Sequence, residues 1–196
     1  VITFWFFRYL ETERGYSSSE VLITMVIAVL VLASGYPLGG MLGDALFRRS
    51  LRGRMIVSAT GVIAGAILMV GALSVPTQEK LLFGLLLCLT SVVMPFAAPN
   101  VVSTVSDVTL PEVRSTATAM LNFVEQIGSS VAPMLAGLIA VRASLQTAIL
   151  GISVGAWLVC FVFLVLCACF VPRDIVALRK QMQARAEVER ARAGGA

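Results

Sequence analysis

Glu125 is the residue in this chain whose position most constrains its chemistry. It is the only charged residue in a long apolar run, Ser115 to Val141. At 1.5 Å per residue it lies about 15 Å into that run, near the middle of a membrane-crossing helix. A carboxylate at that depth costs at least about 2.5 kcal/mol on insertion scales, so it must be neutralised, paired or reached by water. Burial disfavours its charged form and an approaching cation favours it, so one such acid can exchange a proton for a positively charged solute. Thr118, Asn122, Glu125 and Ser129 recur at steps of four, three and four, a polar stripe on one helix face. That stripe is expected to face a cavity or other helices rather than lipid. Gln126 points about 100° away from it. Asn122, Gln126 and Asn100 are further candidate polar ligands, although Asn100, beside Pro99, reads first as structural. Against the coupling role stands a protonated Glu125 that merely bonds a neighbouring helix; intramembrane acids are functional by default, which favours the former.

A second constellation runs from Gly39 to Arg54, GGMLGDALFRRSLRGR. An uncharged run from Val21 to Gly43 stops at Asp44, and Arg48, Arg49, Arg52 and Arg54 follow before another apolar run begins at Met55. Two membrane-length segments joined by a short basic turn predict a hairpin with the turn on the cytoplasmic side. Other chemistry is poorly supplied. The chain has no histidine, the commonest general base and metal ligand. Cys88, Cys160, Cys167 and Cys169 all sit in apolar runs and read as inert thiols. Without a phosphate-binding glycine loop or a nucleophile elbow, no enzyme activity, cofactor or metal site is expected.

The elements that must position these residues follow from composition. Of 196 residues 58% are hydrophobic and only 13% charged, with mean hydropathy +0.93. A soluble domain needs nearer a quarter charged residues, so the expected class is an all-α integral membrane protein. Nucleic acid is not an expected partner, since the basic residues lie in turns and in a tail. Five full spans are read at 21–43, 55–75, 81–106, 115–141 and 146–171, with a partial one at 1–10. Together they make a bundle over 1–171, followed by a tail at 172–196. The partial span suggests a fragment whose first helix begins upstream. Ser17 to Ser19 are candidate N-caps, and Pro95 with Pro99 predicts a kink or local unwinding in the third span. Gly35, Gly39 and Gly43 fall at steps of four, as do Gly61 with Gly65 and Gly151 with Gly155, the spacing of close helix contacts. The spans 55–75 and 146–171, almost without polar side chains, suit the lipid-facing rim. The tail spaces Ile175, Leu178, Met182 and Ala186 helically among basic residues, and is either an amphipathic helix on inner-leaflet lipid or a solvated terminus.

Orientation follows from the basic residues. With the Asp44 to Arg54 turn inside, the inner side holds Arg48, Arg49, Arg52, Arg54, Arg114, Arg173, Arg179, Lys180, Arg185, Arg190 and Arg192. The outer side holds only Arg8, Arg14, Lys80 and Arg142, eleven against four. The C-terminus is therefore expected in the cytoplasm.

Gly40-Met41-Leu42-Gly43-Asp44 followed by Arg48-Arg49 resembles the loop signature of the major facilitator superfamily. RYLETERGYSSSEV is similar to the family's outer loop before a second or eighth helix, and DVTLPEVRSTATAMLNF with GSSVAPMLAG to the opening of its second three-helix repeat. Two positions depart from the pattern, Ala45 and Phe47, where the family often has a basic residue and a glycine; such weakening is common in the second half. The resemblance implies half of a twelve-helix fold, partial helix seven through helix twelve, lacking the N-terminal six-helix half. It implies a secondary transporter of a small solute by alternating access, with H+ as coupling partner and a bacterial plasma (inner) membrane as its place. Asp44 would bond a helix N-terminus and basic residues on a helix outside this chain, within an inner-gate network of Gly40, Arg48, Arg49, Glu112 and Arg114. Competing classes are a non-transporting receptor or assembly protein using the same fold, and a membrane-embedded enzyme.

Overall fold

The computed structural model describes residues 2–194; Val1, at the head of the expected partial span, and residues 195 and 196, at the tip of the tail, lie outside the described residues. Seven α-helices follow one another: α1 (Ile2–Thr12), α2 (Ser18–Phe47), α3 (Gly53–Ser74), α4 (Lys80–Val93), α5 (Ala97–Val108), α6 (Arg114–Arg142) and α7 (Leu145–Gly194). No strand occurs among the described residues. Five helical stretches are long and apolar enough to cross a membrane, α4 and α5 counting as one.

The starts of α2 and α7 have a local cause. Ser17 caps α2 in a capping box, accepting from the Glu20 N–H while the Glu20 carboxylate accepts from the Ser17 N–H at 2.8 Å. Gly15, at φ +66°, makes the left-handed turn into that cap. At α7, Ser144 Oγ takes the Thr147 N–H at 3.1 Å. The Glu13 carboxylate takes those of Leu145 and Gln146 at 2.6 and 3.1 Å, an anion at the positive end of a helix. Its neighbour Arg14 turns the other way. It stacks 3.8 Å over the Phe83 ring, donates from Nε to Tyr9 Oη at 3.1 Å and donates to the Val75 carbonyl. Two adjacent side chains thus clasp the ends of α3, α4 and α7 together.

The third span unwinds where its prolines predict. Pro95 leaves a gap in the hydrogen-bond ladder, and Met94–Phe96 form a 3₁₀ turn between α4 and α5. This turn is seated by glycines. A Cβ on Gly35 would meet the Val92 carbonyl at 2.3 Å, and one on Gly39 the Phe96 Cα at 2.6 Å. On the other side Gly61 of α3 would meet Phe96 Cβ at 2.8 Å. One turn beyond, a Cβ on Gly43 would lie 1.7 Å from Asn100 Oδ1. Backbone approaches backbone here because no side chain intervenes, the contact expected of small residues at that spacing.

Three expectations need correction. Gly151 and Gly155 share the spacing, yet nothing lies within 4 Å of a Cβ built on either, so no helix among the described residues presses against them. The span 55–75, read as lipid-facing rim, forms the centre: α3 packs against α2, α4, α5 and α7, and half of its apolar window is buried. Its small residues, Gly61, Gly65, Ala59 and Ala66, admit neighbours on several sides. Finally, α7 does not end at Pro172 but runs on as one helix of 50 residues. Val171 and Ile175, on either side of the proline, are buried in one cluster with Met55 of α3 and Leu164.

The glycine seats yield a stability prediction. Gly43→Leu must displace Asn100 and should destabilise by about 1–3 kcal/mol, whereas Gly151→Ala should stay within about 0.5 kcal/mol of the parent. Thermal unfolding of both variants in detergent checks the contrast, and equal effects would contradict the packing described.

Candidate functional site

The basic turn is tighter than the apolar runs suggest. Because α2 continues to Phe47 and α3 begins at Gly53, only residues 48–52 connect them. Gly53 makes this approach feasible, since a Cβ there would sit 2.4 Å from Leu46 C and Phe47 N. Asp44 in the last turn of α2 therefore faces Arg54 in the first turn of α3. Arg54 Nε and Nη2 both donate to Asp44 Oδ1, at 2.9 and 2.7 Å. Its Nη1 donates to Asp107 Oδ2, in the last turn of α5, and its guanidinium lies 4.2 Å from the centre of the Phe47 ring.

Every charge in this triad sits at the wrong helix end. An aspartate beside the negative C-terminal end of α2 or α5, or an arginine beside the positive N-terminal end of α3, each costs about 0.3–1 kcal/mol. A shielded charge-assisted hydrogen bond contributes about 1.5–3 kcal/mol, enough to offset them. Shielding differs between the arms. The Arg54 side chain is 14% exposed and that of Asp107 34%, whereas Asp44 is 56% exposed. The Asp44 arm is therefore the screened, weaker one.

The other expected gate residues are placed differently. A Cβ on Gly40 would lie 3.7 Å from Pro99 Cβ, an ordinary contact. Glu112, in the short turn before α6, pairs at 2.8 Å with Arg185, far along α7. Arg48, Arg49 and Arg114 are exposed and make no ion pair among the described residues. Asp44 thus has its partner on α3 of this chain rather than on Arg48 or Arg49. Sequence reasoning missed Arg54 and Asp107 as members. Their signal was available in principle: each is a charge of unfavourable sign at a helix terminus, which calls for a counter-charge.

On α6 the polar stripe lies bare. Asn122, Glu125 and Ser129 are exposed, and Ala136 is the one buried residue of that helix among those described. Glu125 makes no hydrogen bond or ion pair among the described residues. Gln126 is drawn into local bonds, its Oε1 accepting from Ser129 Oγ at 3.1 Å and its carbonyl from Ser130 Oγ at 2.8 Å. The helix is fixed from one side by Trp5, whose indole N–H donates to the Pro133 carbonyl at 3.0 Å. Asn100 is elsewhere and occupied: fully buried, its Nδ2 donates to the carbonyls of Gly39 and Phe96 at 2.9 and 2.8 Å. It ties α5 to α2 and has no donor left for a solute. Among the described residues no cluster of His, Cys, Asp or Glu could hold a metal ion.

A bundle of apolar helices thus carries an ionic triad at its basic end and, on the exposed face of α6, an acid without a partner among the described residues. No curated protein and no solved structure gave a match. The model of the Major Facilitator Superfamily matches residues 1–191, and the chain belongs to that superfamily of membrane transporters.

Proposed function

We propose that this chain forms the second half of a proton-coupled transporter of a small solute, with Glu125 as the coupling acid. The observation that carries this reading is an acid about 16 Å along an apolar helix with no partner among the described residues. Its flanking polar residues are equally uncovered. A carboxylate so placed is tolerable where it borders a water-filled cavity or a facing half. Asn122 shares its face and serves as a second ligand; Gln126, held by Ser129, shapes the wall. Small solutes are the substrates of this superfamily, and the acid favours cationic or amphipathic ones.

The Asp44–Arg54–Asp107 triad is the inner gate in this reading, on the cytoplasmic side with the C-terminal tail, in a bacterial inner membrane. Arg54 joins α2, α3 and α5 through contacts that can break one at a time. Glu112 and Arg185 tie the start of α6 to α7, so a movement of α6 is felt along the C-terminal helix. Rocking of this half against the first then requires these ionic contacts to yield while the glycine-seated packing stays intact.

Two outcomes follow. Glu125→Gln in the full-length protein should abolish proton-driven flux in proteoliposomes while leaving thermal unfolding within about 0.5 kcal/mol of the parent; unchanged flux and pH dependence would refute the coupling role. In double-mutant cycles, Arg54→Gln should couple to Asp107→Asn by about 1–3 kcal/mol and less to Asp44→Asn. Equal or absent coupling on the Asp107 arm would contradict the triad.

A further inference from the structure

A groove of about 350 Å³ opens between α2 and α3 at the basic end of the bundle. Leu42, Ala45, Leu46 and Val57 line it, and the Phe96 ring reaches it from between Gly39 and Gly61. Two polar side chains border it, Thr60 and Arg49. Thr60 spends its hydroxyl proton on its own helix, 3.0 Å from the carbonyls of Ile56 and Val57. Arg49 is exposed, and its side chain makes no hydrogen bond or ion pair among the described residues. It is the free donor of an otherwise apolar groove.

The charge around it is unbalanced. Four arginines, Arg48, Arg49, Arg52 and Arg54, stand near two aspartates, Asp44 and Asp107, and Arg54 engages both. The excess falls on Arg48, Arg49 and Arg52, crowded into the turn between α2 and α3, where like charges repel. A groove between α2 and α4 makes the contrast. There Lys80 borders Leu81 and Leu85, but Glu20 neutralises it at 2.7 Å.

An arginine fork takes a phosphate by two parallel bonds. A free phosphate would leave the apolar groove empty, and a peptide in it would bury backbone polar groups without partners. A zwitterionic headgroup brings its own cation to the arginines. An anionic phosphodiester joined to an acyl chain satisfies both parts at once, and basic pockets between membrane helices hold such headgroups. We propose that this groove seats one anionic phospholipid, its phosphate on Arg49 beside Arg48 and Arg52, and one acyl chain along Leu42, Leu46 and Val57. Glu125 lies on α6, which packs against α5 and α7, so failure of either reading leaves the other standing.

Phosphatidylglycerol and phosphatidylcholine carrying the same photoreactive diazirine acyl chain are the probes. Each is added in trace to the full-length protein in phosphatidylcholine nanodiscs, and adducts are mapped by mass spectrometry. The phosphatidylglycerol probe should label Leu42, Leu46 and Val57 about fivefold above the phosphatidylcholine probe. Leu81 and Leu85, beside the neutralised Lys80, should be labelled equally by both. Arg49→Gln should abolish the preference. Ala45→Phe, which fills the groove and leaves every charge in place, should lower labelling of Val57 by phosphatidylglycerol to the phosphatidylcholine level. Equal labelling of the groove by the two probes would overturn the assigned lipid class. A preference that survives Arg49→Gln, or that appears equally at Leu81 and Leu85, would trace to the general field of a basic protein and overturn the seat, as would labelling of Val57 unchanged by Ala45→Phe.

Discussion

Phe96 sits between two glycines, its Cα against Gly39 on α2 and its Cβ against Gly61 on α3, and the rest of the bundle takes its register from that seat. Inside a membrane, helices gain nothing from leaving lipid for each other except close packing and hydrogen bonds. The 3₁₀ turn at Met94–Phe96 supplies both. It narrows the chain where two helices must close on it, and it sends Asn100 to the Gly39 carbonyl one turn later. From this register follows the position of Asp107 at the end of α5, within reach of Arg54.

The two ends of the bundle are joined by different means. At the end with the α1–α2 loop, Glu13 and Arg14 use backbone groups and an aromatic face, contacts enclosed by the helices they join. At the basic end, Arg54 joins three helices through carboxylates, one of them more than half exposed. Unfavourable helix dipoles make each member of the triad dependent on the others. A link of that kind is strong when formed and easily screened once opened. That is the property the proposed gate requires.

Much of this was legible in the sequence. Apolar run lengths predicted the helices, Pro95 the local unwinding, and Gly35, Gly39 and Gly43 the close contact. The ion pairs were not legible, because helices overrun their apolar segments. Once α2 reaches Phe47, Asp44 is no longer a loop residue, and its partner is set by a five-residue turn rather than by the run of arginines. Gly151 and Gly155 mark a second limit, since spacing reveals a flat helix face but not whether anything rests on it. The same holds for Pro172, which breaks a composition pattern without breaking the helix, because buried Val171 and Ile175 bracket it. Glu125 was found from its isolation alone, and its isolation persists in three dimensions.

The central claim is that the polar stripe of α6 borders a passage open to water from one side of the membrane and then the other. Asn122→Cys, in a background with the four native cysteines replaced, reports this directly through a membrane-impermeant thiol reagent applied from each side. An alternating passage predicts labelling from both sides, with a pH gradient shifting the ratio between them. A residue that no reagent reaches from either side would place the stripe against protein or lipid and contradict the account.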